Sequence, residues 1–145
     1  MKKKTSFKVG YTTGVYDMFH IGHLNVLKHS KELCDYLIVG VSTDEVVIKN
    51  KSKKPIIPFE ERKAIVDVIK YVDETIPQTD YGINGKLEIV KNKHIDVIFV
   101  GSDWKGTDKW KTIEAELSKI GCAVVYLPHT DGISSTSLRE KLEGK

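Results

Sequence analysis

Cysteine and proline are both scarce in this chain of 145 residues, with two of the former and four of the latter. The thiols, Cys34 and Cys122, each sit beside an apolar run, too few for a disulfide framework, and read as buried free thiols of a reducing compartment. No Pro/Gly/Ser-rich linker, internal repeat or low-complexity tract divides the chain, so one domain is expected. Long hydrophobic runs are missing as well. Nothing approaches the roughly 20 apolar residues that a membrane span needs. The basic start, Met1-Lys2-Lys3-Lys4-Thr5-Ser6, is not followed by the apolar stretch of a signal peptide. A cytoplasmic location with no membrane partner is therefore expected. Nor is there an excess of one charge: 23 Lys and Arg stand against 20 Asp and Glu, for a net charge of +3. That is too mild for a nucleic-acid partner, though it suits a small anion.

What is present is an ordinary soluble balance, 40% hydrophobic and 30% charged, in a chain long enough to bury a real core. Apolar runs predict strands at Phe7–Thr13, Tyr36–Ser42, Tyr71–Ile76, Asp96–Gly101 and Ala123–Leu127. Leu37-Ile38-Val39, Val97-Ile98-Phe99-Val100 and Val124-Val125-Tyr126-Leu127 are continuous rather than alternating, as in parallel strands covered on both faces. Helical spacing joins Trp110, Ile113, Leu117 and Ile120 on one face, and likewise Ile83, Leu87 and Val90. Ile65, Val66 and Ile69 follow Phe59-Glu60-Glu61 in a further helix, and a last helix starts near Ser134. The basic stretch Lys49–Pro55 reads as a loop over the sheet edge. This alternation predicts a single-domain, Rossmann-like α/β fold: an open, mainly parallel five-stranded sheet with helices on both faces, its core spanning about residues 7–143.

In such a sheet ligands bind beyond the carboxyl ends of the strands. The first strand end runs Gly14-Val15-Tyr16-Asp17-Met18-Phe19-His20-Ile21-Gly22-His23, a turn that opens into a helix. His20 and His23 are three residues apart, so both rings share the face at the helix start. Unpaired N–H groups and the positive dipole end suit phosphate there, and Gly22 permits close approach. Two imidazole donors beside them would stabilise charge building on a phosphoryl group during in-line transfer. Zinc is not expected, because a third ligand at a matching spacing is missing. Near the C-terminus, Ser134, Ser135 and Thr136 open a second helix whose hydroxyls can cap the backbone or hold phosphate.

The segment Gly14–His23 resembles the signature of the cytidylyltransferase branch of the HIGH-type nucleotidyltransferases. Ser42-Thr43-Asp44-Glu45, Glu61-Arg62, Tyr71-Val72-Asp73-Glu74, Gly101-Ser102-Asp103-Trp104 and Thr130–Thr136 follow in that family's order, so the resemblance covers about Val9 to Leu142. It implies that His20 and His23 contact the nucleotide phosphates and stabilise the transition state at the α-phosphorus. The backbone of Gly14, Val15 and Tyr16 would approach the phosphates, and Lys51 and Lys53 would clamp them, with Lys51 also reaching the acceptor. Arg62 would start a helix facing the site, a structural ion pair being the competing reading. Lys86 would touch the acceptor phosphate. Gly101 and Asp103 would serve the ribose or cytosine, and His129, Thr130, Ile133, Ser134, Ser135 and Thr136 the β- and γ-phosphates.

Three positions depart from that family's pattern. Val15 stands for a usual Thr, His129 for a usual Arg and Lys70 for a usual Arg, and the second change removes a permanent forked charge. The activity implied is transfer of CMP from CTP to a phosphorylated alcohol, sn-glycerol 3-phosphate before other polyol phosphates or phosphoethanolamine. Pyrophosphate would leave, and the product would feed polymer or lipid assembly. The triphosphate charge calls for Mg²⁺, carried mainly by the nucleotide and assisted by Asp17. A homodimer is implied too. The alternatives are an adenylyltransferase of the same superfamily and a module that binds nucleotide without turnover.

Overall fold

The computed structural model describes residues 7–128. In chain order it runs β1 (Phe7–Gly14), α1 (Ile21–Glu32), β2 (Cys34–Ser42), α2 (Asp44–Lys51), α3 (Phe59–Asp67), β3 (Glu74–Gln78), α4 (Ile83–Lys93), β4 (Val97–Gly101), α5 (Asp108–Ser118) and β5 (Ala123–Leu127). A single 3₁₀ turn, Ser102–Trp104, follows β4. The five strands lie in the order β3-β2-β1-β4-β5 and every pair is parallel. The chain winds outward one way from β1 to β3 and the other way from β4 to β5. The β1/β4 boundary is therefore the point where strand order reverses, which is where such sheets open a crevice.

The sheet separates two apolar clusters. Leu37, Val39, Val41, Val97 and Phe99 face Leu27 and Val66 on one side. Tyr11, Ile38 and Ile98 face Val90, Trp110, Ile113 and Leu117 on the other. Alternate residues of β2 enter opposite clusters, so a continuous apolar strand serves both layers.

Among the described residues the expected architecture holds, with local differences; the last helix expected near Ser134 lies outside them. The third strand begins at Glu74 rather than Tyr71. Tyr71 and Val72 pack against the first cluster from a turn, and the Asp73 carboxylate accepts the Leu37 N–H at 2.8 Å. The strand then runs on through Pro77, which an outermost strand tolerates. The basic stretch at Lys49 is only partly a loop, because Lys49, Asn50 and Lys51 form the last turn of α2. Thr43 caps that helix, its hydroxyl accepting the Val46 N–H at 3.2 Å, and Ser52 ends it in the left-handed region. Of the expected Ile65, Val66 and Ile69, Val66 is buried in α3 and Ile69 packs against the first cluster beyond the helix end. Ile65 is 42% exposed, and Arg62 is the other residue that α3 buries.

Candidate active site

Between β1 and α1 the chain turns sharply, with Tyr16 and Met18 both at positive φ, 55° and 50°. A bulky residue rarely occupies that region, so the surroundings must hold it there. Gly14 makes this possible. A Cβ on it would meet the Tyr16 ring at 2.9 Å, and with hydrogen in its place the buried ring folds back over the strand end.

The turn delivers the two histidines to the start of α1, where each closes a backbone contact of the other's segment. His20 Nδ1 accepts the Gly22 N–H at 3.0 Å, and His23 Nδ1 accepts the His20 N–H at 3.2 Å. The rings stack with centroids 3.9 Å apart. Because Nδ1 accepts in both rings, each neutral imidazole carries its proton on Nε2. Burial pushes His23 down to about 4, with neighbouring His20 adding to the effect and Asp17 opposing it. Burial also lowers His20. Both are neutral N–H donors near pH 7. The His20 Nε2 is buried and has no partner among the described residues. One expectation is revised here: the helix start does not leave all its N–H groups to a phosphate, because His20 itself takes that of Gly22.

Below this turn lies a buried clamp. The two oxygens of Asp17 accept the Ile56 and Ile57 N–H groups, each at 2.9 Å. Arg62, 1% exposed, donates from Nε to Ile57 O and from Nη1 to Val15 O and Ser42 O, all at 2.7 Å. Its Nη2 pairs with Asp44 Oδ1 at 2.6 Å. The expectation that Arg62 faces the nucleotide is thereby corrected. Every guanidinium nitrogen is spent on the protein, tying the strand ends to the segment that follows the lysine loop. Asp17 likewise binds that segment through both oxygens.

A cleft of about 800 Å³ opens beyond the carboxyl ends of β1 to β4, between α4 and α5. Thr13, Gly14, Val15, Lys51, Lys86 and Gly101 are on its wall, as are both tryptophans of the chain, Trp104 and Trp110. Lys86 Nζ donates to Tyr81 O at 2.7 Å and lies 5.5 Å from the Trp110 ring centre. Burial, then the charge of Lys109, pushes it down to about 8 against the pull of Asp80.

The cleft does not gather every expected residue. His20 and His23 stand outside its wall, and the Tyr16 ring, which lies against Gly14, meets the His23 ring at 5.4 Å. Lys53 is exposed and off the wall, as is Asp103 in the 3₁₀ turn. His129, Thr130, Ile133, Ser134, Ser135 and Thr136 lie outside the described residues. Sequence reasoning missed the cleft-wall residues Gln78 and Tyr81, and it placed Ser42 and Asp44 in a family segment without seeing that one lines the cleft and the other pairs with Arg62.

A parallel sheet with a histidine-headed helix beside the crevice of its strand-order reversal defines the class of α/β nucleotidyltransferases. The comparisons narrow this further. Residues 11–141 match the model of the cytidylyltransferase-like family, and the chain belongs to that family. It is 40% identical over 133 residues to the glycerol-3-phosphate cytidylyltransferase of Bacillus subtilis (strain 168), covering 92% of this chain and 95% of that protein. It is 42% identical over 129 residues to an FAD synthase of Thermococcus kodakarensis, covering 88% of this chain and 83% of that protein. Among solved structures it resembles a lipopolysaccharide core biosynthesis protein from Thermoplasma volcanium, with TM-score 0.69 and 29% identity, covering 85% of this chain and 96% of that one.

Proposed function

We propose that the protein transfers CMP from CTP to a phosphorylated alcohol, with sn-glycerol 3-phosphate as the preferred acceptor. The observation that carries this reading is the stacked histidine pair, whose Nδ1 atoms are tied to the backbone so that both Nε2–H groups remain as donors. The similarity to the Bacillus subtilis enzyme along nearly the whole of both chains supports the choice of nucleotide and acceptor.

In this reading an acceptor phosphate oxygen attacks the α-phosphorus of CTP, the bond from that phosphorus to the bridging oxygen breaks, and pyrophosphate leaves. The two Nε2–H groups donate to the α-phosphoryl oxygens as charge accumulates, already oriented before substrate arrives. Gly14, Val15 and Tyr16 shape the approach of the phosphates. Lys51 and Lys53 add positive charge from the end of α2 and the loop beyond it. Lys86 holds the acceptor phosphate, and Gly101 with Asp103 serves the nucleoside end.

The described residues contain no group of three His, Cys, Asp or Glu side chains that could hold a metal. The charge of the triphosphate calls for an Mg²⁺ that enters on the nucleotide phosphates. Among the described residues no helix is long and apolar enough to cross a membrane. A cytoplasmic homodimer supplying an activated alcohol for envelope polymers fits the family resemblance.

The similarity to an FAD synthase favours one second reading, adenylyl transfer from ATP. Pyrophosphate release with Mg²⁺, crossing CTP and ATP against sn-glycerol 3-phosphate, ribitol 5-phosphate, phosphoethanolamine and FMN, separates the two. Turnover with CTP and sn-glycerol 3-phosphate, lost in His20→Ala, is expected. Turnover confined to ATP would move the chain to the second reading.

A further inference from the structure

Ser42 and Gln78 face each other at the carboxyl ends of β2 and β3, where Thr43 N also donates to Gln78 O at 3.1 Å. The Ser42 hydroxyl donates to Gln78 Oε1 at 2.9 Å and accepts from the Tyr81 hydroxyl, also at 2.9 Å. Ser42 is 1% exposed and Gln78 8%. All three residues line the cleft. Ser42 is held a second way, because its carbonyl accepts from the buried Arg62. The two side-chain bonds of the Ser42 hydroxyl are not part of the sheet ladder, and an aliphatic pair at these two positions would bury no polar group that needs a partner.

The chain of bonds has a direction. Its acceptor oxygen is spent on Ser42, so the glutamine presents its amide nitrogen, with two N–H donors, as the free end. Gln78 stands two strands from β1, about 10 Å at ordinary strand spacing. Lys86, the residue expected to hold the acceptor phosphate, donates to Tyr81 O and shares the cleft wall with Gln78, so an acceptor held there has the Gln78 amide on the same wall. Resting on the cytidylyltransferase reading above, we propose that Gln78 selects the acceptor, its amide nitrogen donating to a hydroxyl oxygen of a phosphorylated polyol. A phosphorylated amino alcohol would bring an ammonium group, itself only a donor, against a donor, and leave both unpaired. The two carboxylates on the same wall, Asp80 and Glu88, are exposed, and Asp80 already accepts the Gly82 N–H at 2.7 Å. Tyr81 and Ser42 act through Gln78, as positioning residues.

Gln78→Glu preserves the oxygen that accepts from Ser42 and replaces the donors by a carboxylate. With sn-glycerol 3-phosphate, kcat/KM should fall about tenfold or more, mainly through the acceptor KM, while the KM for CTP stays within about twofold. Relative preference for phosphoethanolamine should rise. Tyr81→Phe removes only the outer bond of the chain, and the acceptor KM should rise about threefold with kcat and melting temperature little changed. An unaltered acceptor KM and selectivity in both variants would overturn the proposal, as would an equal rise in the KM for CTP. Wild-type protein that releases no pyrophosphate from CTP with either acceptor would remove the cytidylyltransferase reading, and this inference with it.

Discussion

The β1–α1 junction and the cleft between α4 and α5 meet at the Gly14–Val15 edge yet are built on opposite principles. The junction is closed on itself. Two histidines cap the backbone between them, Asp17 spends both oxygens on N–H groups, and Arg62 spends every nitrogen on carbonyls and Asp44. The cleft is open and unevenly charged, with lysines above tryptophan rings and a polar chain ending on a donor. Groups that act on the reacting phosphorus must not move, so their geometry is settled before substrate arrives. Groups that receive a variable acceptor keep their hydrogen-bonding capacity for it. The comparison predicts different failures on the two sides: lost stability and kcat at the junction, altered KM and pH response in the cleft.

The largest effect is expected from Arg62→Leu, which leaves three carbonyls and Asp44 without their buried partner. Unfolding in urea should show a loss of about 3–5 kcal/mol, because the enclosed carbonyls lose their donor and the half-buried Asp44 loses its ion pair. A loss below about 1 kcal/mol would mean the junction is far looser than its contacts imply. Next in size is His23→Ala, which deletes one Nε2–H donor and frees the His20 N–H. Steady-state pyrophosphate release should fall about 10²–10³-fold in kcat. An effect confined to KM would place His23 with the cleft groups instead.

The pH responses are smaller and opposite in character. His23 is pushed down to about 4 by burial, so in the window between there and its ordinary value of about 6.5 the unfolded chain binds the extra proton. Its contribution to stability is therefore complete above about pH 6.5 and is lost as pH falls towards 4. Urea midpoints measured across that window should decline, and less so in His23→Gln. On the cleft side, Lys86 sits at about 8, so the acceptor KM should rise as pH passes upward through that value. The KM for CTP should stay level there. Lys86→Arg, permanently charged, should flatten the acceptor profile.

These two regions also differ in how much of them could be read from the residues. His20 and His23 are three positions apart, the spacing of a residue that caps a helix and one in its first turn, so both rings were legible at the start of α1. β1, β2, β4 and β5 were legible within a residue or two, because continuous apolar runs mark strands covered on both faces. β3 was placed three residues early because Tyr71 and Val72 are apolar for a different reason: they pack into the core from a turn. α2 hid under its lysines, although Thr43, Asp44 and Glu45 carry the signs of a helix start. The cleft wall was the least legible. Ser42, Gln78, Tyr81 and Lys86 arrive from separate elements, and only the β2–β3 register reveals that Ser42 and Gln78 are neighbours. Arg62 showed its charge in the sequence but not its direction. Whether a guanidinium points outward to phosphate or inward to carbonyls depends on long-range packing, which local pattern does not carry.

Both indole rings of the chain stand on the wall of one cleft, each with a lysine ammonium near its face: Lys86 by Trp110 and Lys109 by Trp104. Such a cation withdraws from the ring when a phosphate oxygen competes for it. The ultraviolet emission of this protein therefore originates where its substrates are expected to lodge. An unlabelled sample titrated with nucleotide or acceptor should report occupancy directly, without a coupled assay and without any turnover at all.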